Sequence, residues 1–250
     1  MRDQVHIWVA RPDRLEAEAC TQRMRTLLTD EEHARVARYH FAHHRHAALV
    51  TRALVRSALS HYADVAPTDW RFVATDAGRP EIAAPDRHPS LRFNLSHTAG
   101  LIVCAVNVTR DVGCDVESLD RKTPLDQLAE RYFSPVEAAE LRACAESDRA
   151  ERFFRYWTLK EAYMKARGLG LRIPLGSFSL SFGNAPLSAD LEHAAPARIS
   201  FHEPEPHRGF ADPAAWQLAT MSVGGEHVLS WAAYRPDRAD LAIRLVAYAP

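Results

Sequence analysis

The sequence predicts an α+β protein of two similar α/β-type halves, each a small sheet packed with a long helix. Three observations predict it. A helical stretch from Glu31 to about Tyr62 is followed by short strand-like runs, and a second helix, Ala150 to Arg167, is followed by another such set. Helix, Pro67, Phe72 and paired strands in the first half are echoed by helix, Pro174, Phe178 and paired strands in the second, the hint of an internal repeat. A chain of 250 residues can hold two ordinary domains, and the division expected is 1–111 and 112–250.

The elements follow in order. Val5 to Ala10 reads as a first strand, and Thr29 and Asp30 cap the long helix. A turn at Ala66-Pro67-Thr68-Asp69 leads to a strand near Trp70 to Ala74. Gly78-Arg79-Pro80 and the segment 84–90 read as loops. Strands at Leu91 to Leu95, Leu101 to Val108 and Val112 to Glu117 lie so close together that they suggest a meander. Ser134-Pro135-x-Glu137 is a capping box with proline at the first helical position, and Gly168 and Gly170 stop the helix from Ala150. Strands near Ser177 to Phe182, Trp216 to Ser222 and Val228 to Tyr234 close the chain, with a Pro, His and Ala-rich loop over about 183–215.

Composition excludes several classes. With 47% hydrophobic and 25% charged residues the chain reads as a soluble globular protein. A net charge of -1 and a pI near 6.9 give no whole-protein reason to expect nucleic acid or an anionic membrane. The N-terminus lacks the pattern of a secretory signal, and no apolar run approaches the length of a membrane span, so a cytoplasmic location is expected. Cys20, Cys104, Cys114 and Cys144 are widely spaced, without C-x-x-C, and read as reduced core thiols. The histidines His40, His43, His44 and His46 have no Cys or H-E-x-x-H beside them to suggest zinc.

The residues able to do chemistry begin with Asp115 and Glu117 in Gly113-Cys-Asp-Val-Glu117. On a strand they share one face while Cys114 and Val116 share the other, so the acids can enter a cleft as the apolar pair enters a core. Glu161, four residues after Trp157 and four before Lys165, lies on one helix face with both. Three carboxylates suit Mg²⁺, which takes oxygen ligands and keeps substrate phosphates in its shell. The bland alternative is an exposed acidic edge and a surface Glu161–Lys165 pair.

From His33 through Ala63 there is no Asp or Glu, but there are five arginines. In one continuous helix Arg38, Arg45, Arg52 and Arg56 fall within about 40° of one another, a basic stripe facing an anion or an acidic partner. The other reading is a basic surface balanced elsewhere in the fold. Ser96-His97 lacks the elbow of a nucleophilic serine, and phosphate contact is the easier chemistry, with turn capping as the alternative.

Taken in order, Gly78-Arg-Pro80, Phe93-Asn-Leu-Ser-His97, Gly113-Cys-Asp-Val-Glu117 and Trp157-x-x-Lys160-Glu161-Ala-x-x-Lys165-x-x-Gly168-x-Gly170 resemble the motif series of the Sfp-type 4′-phosphopantetheinyl transferases. The resemblance runs from about Leu27 to Phe182. It implies a pseudo-twofold pair of domains with coenzyme A and Mg²⁺ at their junction, and transfer of 4′-phosphopantetheine from coenzyme A to a serine of an apo acyl, peptidyl or aryl carrier protein, releasing 3′,5′-ADP.

Carried over by position, Asp115, Glu117 and Glu161 hold the metal, and Glu161 helps remove the serine proton. Lys165 contacts the phosphates and offsets charge on the leaving group. Ser96, His97 and Arg79 match phosphate-contacting positions, and Arg38 and Arg45 the basic helix near the 3′-phosphate. The chain departs from the family at His44-Arg45, where an acid-Arg pair is frequent, and at Ala47, basic in some members; Arg45 and His46 are the nearest substitutes. Basic and apolar residues between Ser134 and Arg155 are the surface expected to meet an acidic carrier helix. A monomer is expected. Rival readings of the same residues are a Mg²⁺-dependent nuclease and a non-catalytic module binding a carrier or nucleotide.

Overall fold

The computed structural model describes residues 3–76, 78–84, 90–185, 187–190, 194–202 and 212–250. Two sheets lie face to face, each with a long helix on its outer side. The first takes, in order, β11 (Ala242–Ala247), β1 (Gln4–Ala10), β5 (Leu101–Val108) and β4 (Leu91–Thr98). The second takes β6 (Val112–Ser118), β10 (His227–Tyr234), β9 (Trp216–Val223), β8 (Ala195–Phe201) and β7 (Phe178–Phe182). A hairpin of β2 (Arg71–Ala74) and β3 (Pro80–Ala84) stands apart.

Strand alternation builds three apolar layers. Trp8, Phe93, Ile102 and Val106 pack against Leu49, Ala53 and Leu54 of helix α3 (Ala42–Ser60). Ile7, Leu101, Val103 and Ala105 turn the other way, onto Cys114, Val116, Leu229 and Trp231 of the second sheet. Beyond it, Leu180, Trp216, Leu218 and Val228 meet Phe153, Phe154, Tyr156, Leu159 and Tyr163 of helix α6 (Glu146–Arg167). Each such large side chain contributes about 1.5–3 kcal/mol by leaving water. Helix α6 has no Gly or Pro before Gly168, whose φ of +66° closes it in the left-handed conformation. Lys160 locks it from within: its ammonium is fully buried, 2.8 Å from Glu137 and within hydrogen-bond reach of the Leu175 and Phe178 carbonyls.

Several expectations hold. The capping boxes at Thr29/Glu32 and Ser134/Glu137 are both formed, opening α2 (Asp30–Ala37) and α5 (Pro135–Ala143). All four cysteines are free thiols, but only Cys104 and Cys114 lie in the core; Cys20 and Cys144 are partly exposed. No described helix is long and apolar enough to cross a membrane. Helices α1 (Glu18–Thr26) and α4 (Leu125–Tyr132) and strands β8 and β11 were not anticipated. β11 pairs in parallel with β1, so the last strand returns to the first sheet, across the boundary expected at 111/112. Of the loops anticipated at 84–90 and about 183–215, residues 85–89, 186, 191–193 and 203–211 lie outside the described residues.

Two expectations fail. The long helix from Glu31 to Tyr62 is two helices, with Arg38 to Phe41 between them. No Gly or Pro marks the break. It is held by tertiary contacts: Arg56 of α3 reaches across to Glu32 of α2 at 2.7 Å, and Arg45 Nη1 donates to the Tyr39 and His40 carbonyls freed there. The meander fails as well. β4 and β5 form a hairpin, but the β6 ladder runs to β10, and β6 meets β4 through side chains, with the Cys114 and Val116 N–H groups donating to Asn94 Oδ1 and Ser96 Oγ.

Candidate active site

β6 divides its residues between two neighbours. Cys114 and Val116 enter the layer between the sheets, and Gly113, Asp115 and Glu117 face α6. Gly113 permits the approach: a Cβ there would lie 2.0 Å from the Ala162 carbonyl oxygen and 2.5 Å from the Ala166 nitrogen. With the strand held this closely, Glu161 and Lys165 stand beside the two acids.

Lys165 Nζ lies 2.6 Å from Asp115 Oδ1, 3.1 Å from Ser96 Oγ and 3.3 Å from the Cys114 carbonyl. Burial works against its charge, but Asp115 and Glu161 outweigh it and raise the ammonium above the ordinary lysine range. Ser96 donates to Asp115 Oδ1 at 2.7 Å, and Asp115 Oδ2 is buried without a partner among the described residues. Glu117 accepts from Arg121 on one oxygen and from Thr98 at 3.4 Å on the other. Glu161 makes no hydrogen bond or ion pair with the described residues. Burial first, and then the nearby Asp115, raises both Glu117 and Glu161 above the usual carboxylate range; Arg121 opposes this at Glu117, and Lys165 at Glu161.

The site thus gathers Asp115, Glu117, Glu161, Lys165 and Ser96, as the motif spacing anticipated. The exposed-edge reading is wrong, because Asp115 and Glu117 are both buried. Among the described residues no three His, Cys, Asp or Glu side chains converge as a ready metal cage. Two of the three carboxylates instead face cations of the chain itself. The oxygen-only donors still fit a hard divalent ion, and the unpartnered Asp115 Oδ2 beside the unpaired Glu161 leaves coordination capacity unused.

Other anticipated residues are placed differently. His97 falls on the opposite face of β4 from Ser96 and is exposed. Arg79 donates through Nη1 to the Lys165 and Ala166 carbonyls, at 2.9 and 3.1 Å, so it caps the C-terminal end of α6 behind the site. The single basic stripe does not exist. Arg56 is buried against Glu32, just outside the acid-free window, and donates to the Pro67 and Trp70 carbonyls. Arg38 is exposed at the end of α2, and Arg45, His46, Arg25 and His33 line a cleft of about 420 Å³ among α1, α2 and α3.

Sequence reasoning missed Asn94, Thr98 and Arg121. Asn94 and Thr98 share the face of Ser96 by strand alternation, so the i±2 rule could have found them. Arg121 lies beyond the end of β6, where no periodicity applies.

A model of the 4′-phosphopantetheinyl transferase superfamily matches residues 111–220, and one described as 4′-phosphopantetheinyl transferase, N-terminal, matches residues 16–109. The chain is 38% identical over 171 residues to the 4′-phosphopantetheinyl transferase HetI of a Nostoc species, covering 68% of this chain and 71% of that one. It is 29% identical over 198 residues to the 4′-phosphopantetheinyl transferase Sfp of Bacillus subtilis, covering 78% and 85%. The crystal structure of Thermotoga maritima holo-[acyl-carrier-protein] synthase is similar over 50% of this chain and 62% of that one, at 19% identity and a TM-score of 0.38.

Proposed function

The chain belongs to the 4′-phosphopantetheinyl transferase superfamily, and from that premise we propose that it moves the 4′-phosphopantetheine group of coenzyme A onto a serine hydroxyl of an apo acyl, peptidyl or aryl carrier protein. The observation that carries this reading is the meeting of Asp115, Glu117, Glu161 and Lys165 between β6 and α6, where three carboxylates stand beside a fixed ammonium.

In the reaction the serine oxygen attacks the β-phosphorus of coenzyme A, the bond from that phosphorus to the bridging oxygen breaks, and 3′,5′-ADP leaves with the electron pair. Mg²⁺, held by Asp115, Glu117 and Glu161, would neutralise the diphosphate and polarise the phosphorus. Glu161 is the proton acceptor we assign. Its side chain makes no hydrogen bond or ion pair with the described residues that would compete for the proton. Lys165 supplies the charge that meets the leaving oxygen. Ser96 holds Asp115 and Lys165 in register, its hydroxyl donating to Asp115 and accepting from Lys165 and the Val116 N–H, and a phosphate contact by exposed His97 would come from the other face of β4. Arg79 fixes the α6 end that carries Lys165 and presents cationic charge to the ligand from behind it.

We place the 3′-phosphate with Arg38, Arg45 and His46, because Arg45 and His46 share a cleft that no acid lines. The carrier would meet the surface between Ser134 and Arg155, where Val136 is exposed and Arg142 and Arg149 pair with Glu130 and Asp126. A monomer working in the cytoplasm, with no nucleic acid or membrane partner, completes the reading. No observation favours the nuclease or the non-catalytic module.

The test is incubation of the protein with coenzyme A, Mg²⁺ and an apo carrier, followed by intact-mass spectrometry. Gain of one phosphopantetheine on the carrier is expected. An unmodified carrier across acyl, peptidyl and aryl types would overturn the proposal.

A further inference from the structure

We propose that Arg121 is a displaceable counter-ion of the site: it occupies Glu117 while the site is empty of ligand and moves onto the diphosphate of the nucleotide co-substrate when Glu117 turns to a divalent cation. The inference rests on the metal and coenzyme A roles proposed above and assigns a residue that neither the motifs nor the comparisons name.

Arg121 has a fixed base and a free end. Its N–H donates to the Ser118 carbonyl at 3.1 Å, the Asp120 N–H donates to Ser118 Oγ at 3.2 Å, and the Leu119 N–H donates to the Glu226 carbonyl at 2.8 Å, so the turn after β6 is tied to the β9–β10 hairpin. The side chain is 51% exposed, against 11% for Glu117. Its sole side-chain hydrogen bond or ion pair among the described residues is with the Glu117 carboxylate. A long cation anchored at its root and open to solvent along its length can change partners without moving the backbone.

Charge says why it should. Asp115, Glu117 and Glu161 bring three negative charges to one cleft, and Lys165 and Arg121 answer two of them. Lys165 is built in: it has three acceptors on two strands and rides on α6. Arg121 has one acceptor and comes from the open side. When a divalent cation shares Glu117, the guanidinium is repelled from it and is left beside an incoming diphosphate, whose geometry a guanidinium matches with two parallel hydrogen bonds. Metal and nucleotide then bind in support of each other, because the nucleotide accepts the cation that the metal expels.

The inference predicts effects of opposite sign from one substitution. In Arg121→Ala, Mn²⁺ binding without coenzyme A, measured by calorimetry or by electron paramagnetic resonance, tightens about three- to tenfold, since one exposed ion pair no longer competes. Coenzyme A binding in the presence of Mn²⁺ weakens by a similar or larger factor, and Arg121→Lys recovers part of it. Weaker binding of both ligands, with normal thermal unfolding, would show a merely structural residue and overturn the inference. Weaker coenzyme A binding with unchanged Mn²⁺ affinity would show a plain phosphate contact and also overturn the exchange. If the unsubstituted protein binds neither Mn²⁺ nor coenzyme A, the proposed function itself fails, which separates the two.

Discussion

Lys165 Nζ and Asp115 Oδ1 lie 2.6 Å apart, and through this contact the end of α6 is fixed on the strand that supplies the acids. Removing the carboxylate altogether would leave a largely buried ammonium without its partner, so the informative change is one that keeps the shape. Asp115→Asn is expected to lower carrier modification by roughly a hundredfold or more, because the charge that would hold the metal is gone. Intact-mass time courses measure it, beside circular dichroism to show that the fold is retained. Modification at the unsubstituted rate would remove Asp115 from the mechanism.

Gly113 makes a second prediction. No side chain can stand there without driving β6 from α6, and a single methyl is expected to destabilise the protein by about 1–3 kcal/mol, the usual range for overpacking. The displaced helix carries Glu161 and Lys165, so transfer should fall further than stability does. Denaturant unfolding of Gly113→Ala, paired with turnover, tests this; unchanged stability would mean that the close approach is not maintained in solution.

Glu161 yields a pH signature. Its folded pKa is raised, so the folded state holds its proton to higher pH than the unfolded chain does. The stabilising contribution is full below the unfolded value of 4.5 and is lost as pH rises through the folded value. In metal-free protein, Glu161→Gln is therefore expected to raise Tm by a few degrees at pH 7 and to change it little near pH 4.5. Thermal scans at the two pH values read the difference. An equal shift at both, or a loss at pH 7, would contradict the burial, and after it the nearby Asp115, that raise Glu161.

Arg56 and Arg45, once drawn on one stripe, should now behave differently. Arg56→Met breaks a buried pair and is expected to cost about 3–5 kcal/mol of stability, largely recovered when Glu32→Gln is added. Arg45→Ala removes only exposed hydrogen bonds to the Tyr39 and His40 carbonyls, so it is expected to cost far less stability than Arg56→Met and to weaken coenzyme A binding in a salt-dependent way. Unfolding curves and binding titrations at two salt concentrations separate them, and a stability loss at Arg45 as large as that at Arg56 would make Arg45 a structural residue and remove it from the anion site.

Local rules made much of this protein legible. The capping boxes at Thr29 and Ser134, the stop at Gly168 and the opposed faces of Cys114/Val116 and Asp115/Glu117 depend on residues at most a few positions apart, and each formed as read. Spacing on one strand and one helix was enough to nominate Asp115, Glu117, Glu161 and Lys165, because periodicity fixes which side chains share a face.

Only the tertiary structure decided what those faces meet. The break at Arg38 to Phe41 carries no Gly or Pro, and it follows from Arg56 finding Glu32 across α2 and α3. β6 left its sequence neighbours for β10, and the C-terminal β11 returned to β1, because strand pairing answers to burial over the whole chain and not to order along it. Arg121 at Glu117 and Lys165 at Asp115 were decided in the same way: the sequence by itself determined which groups carry charge, and folding determined which opposite charge each one faces in a partly dry cleft.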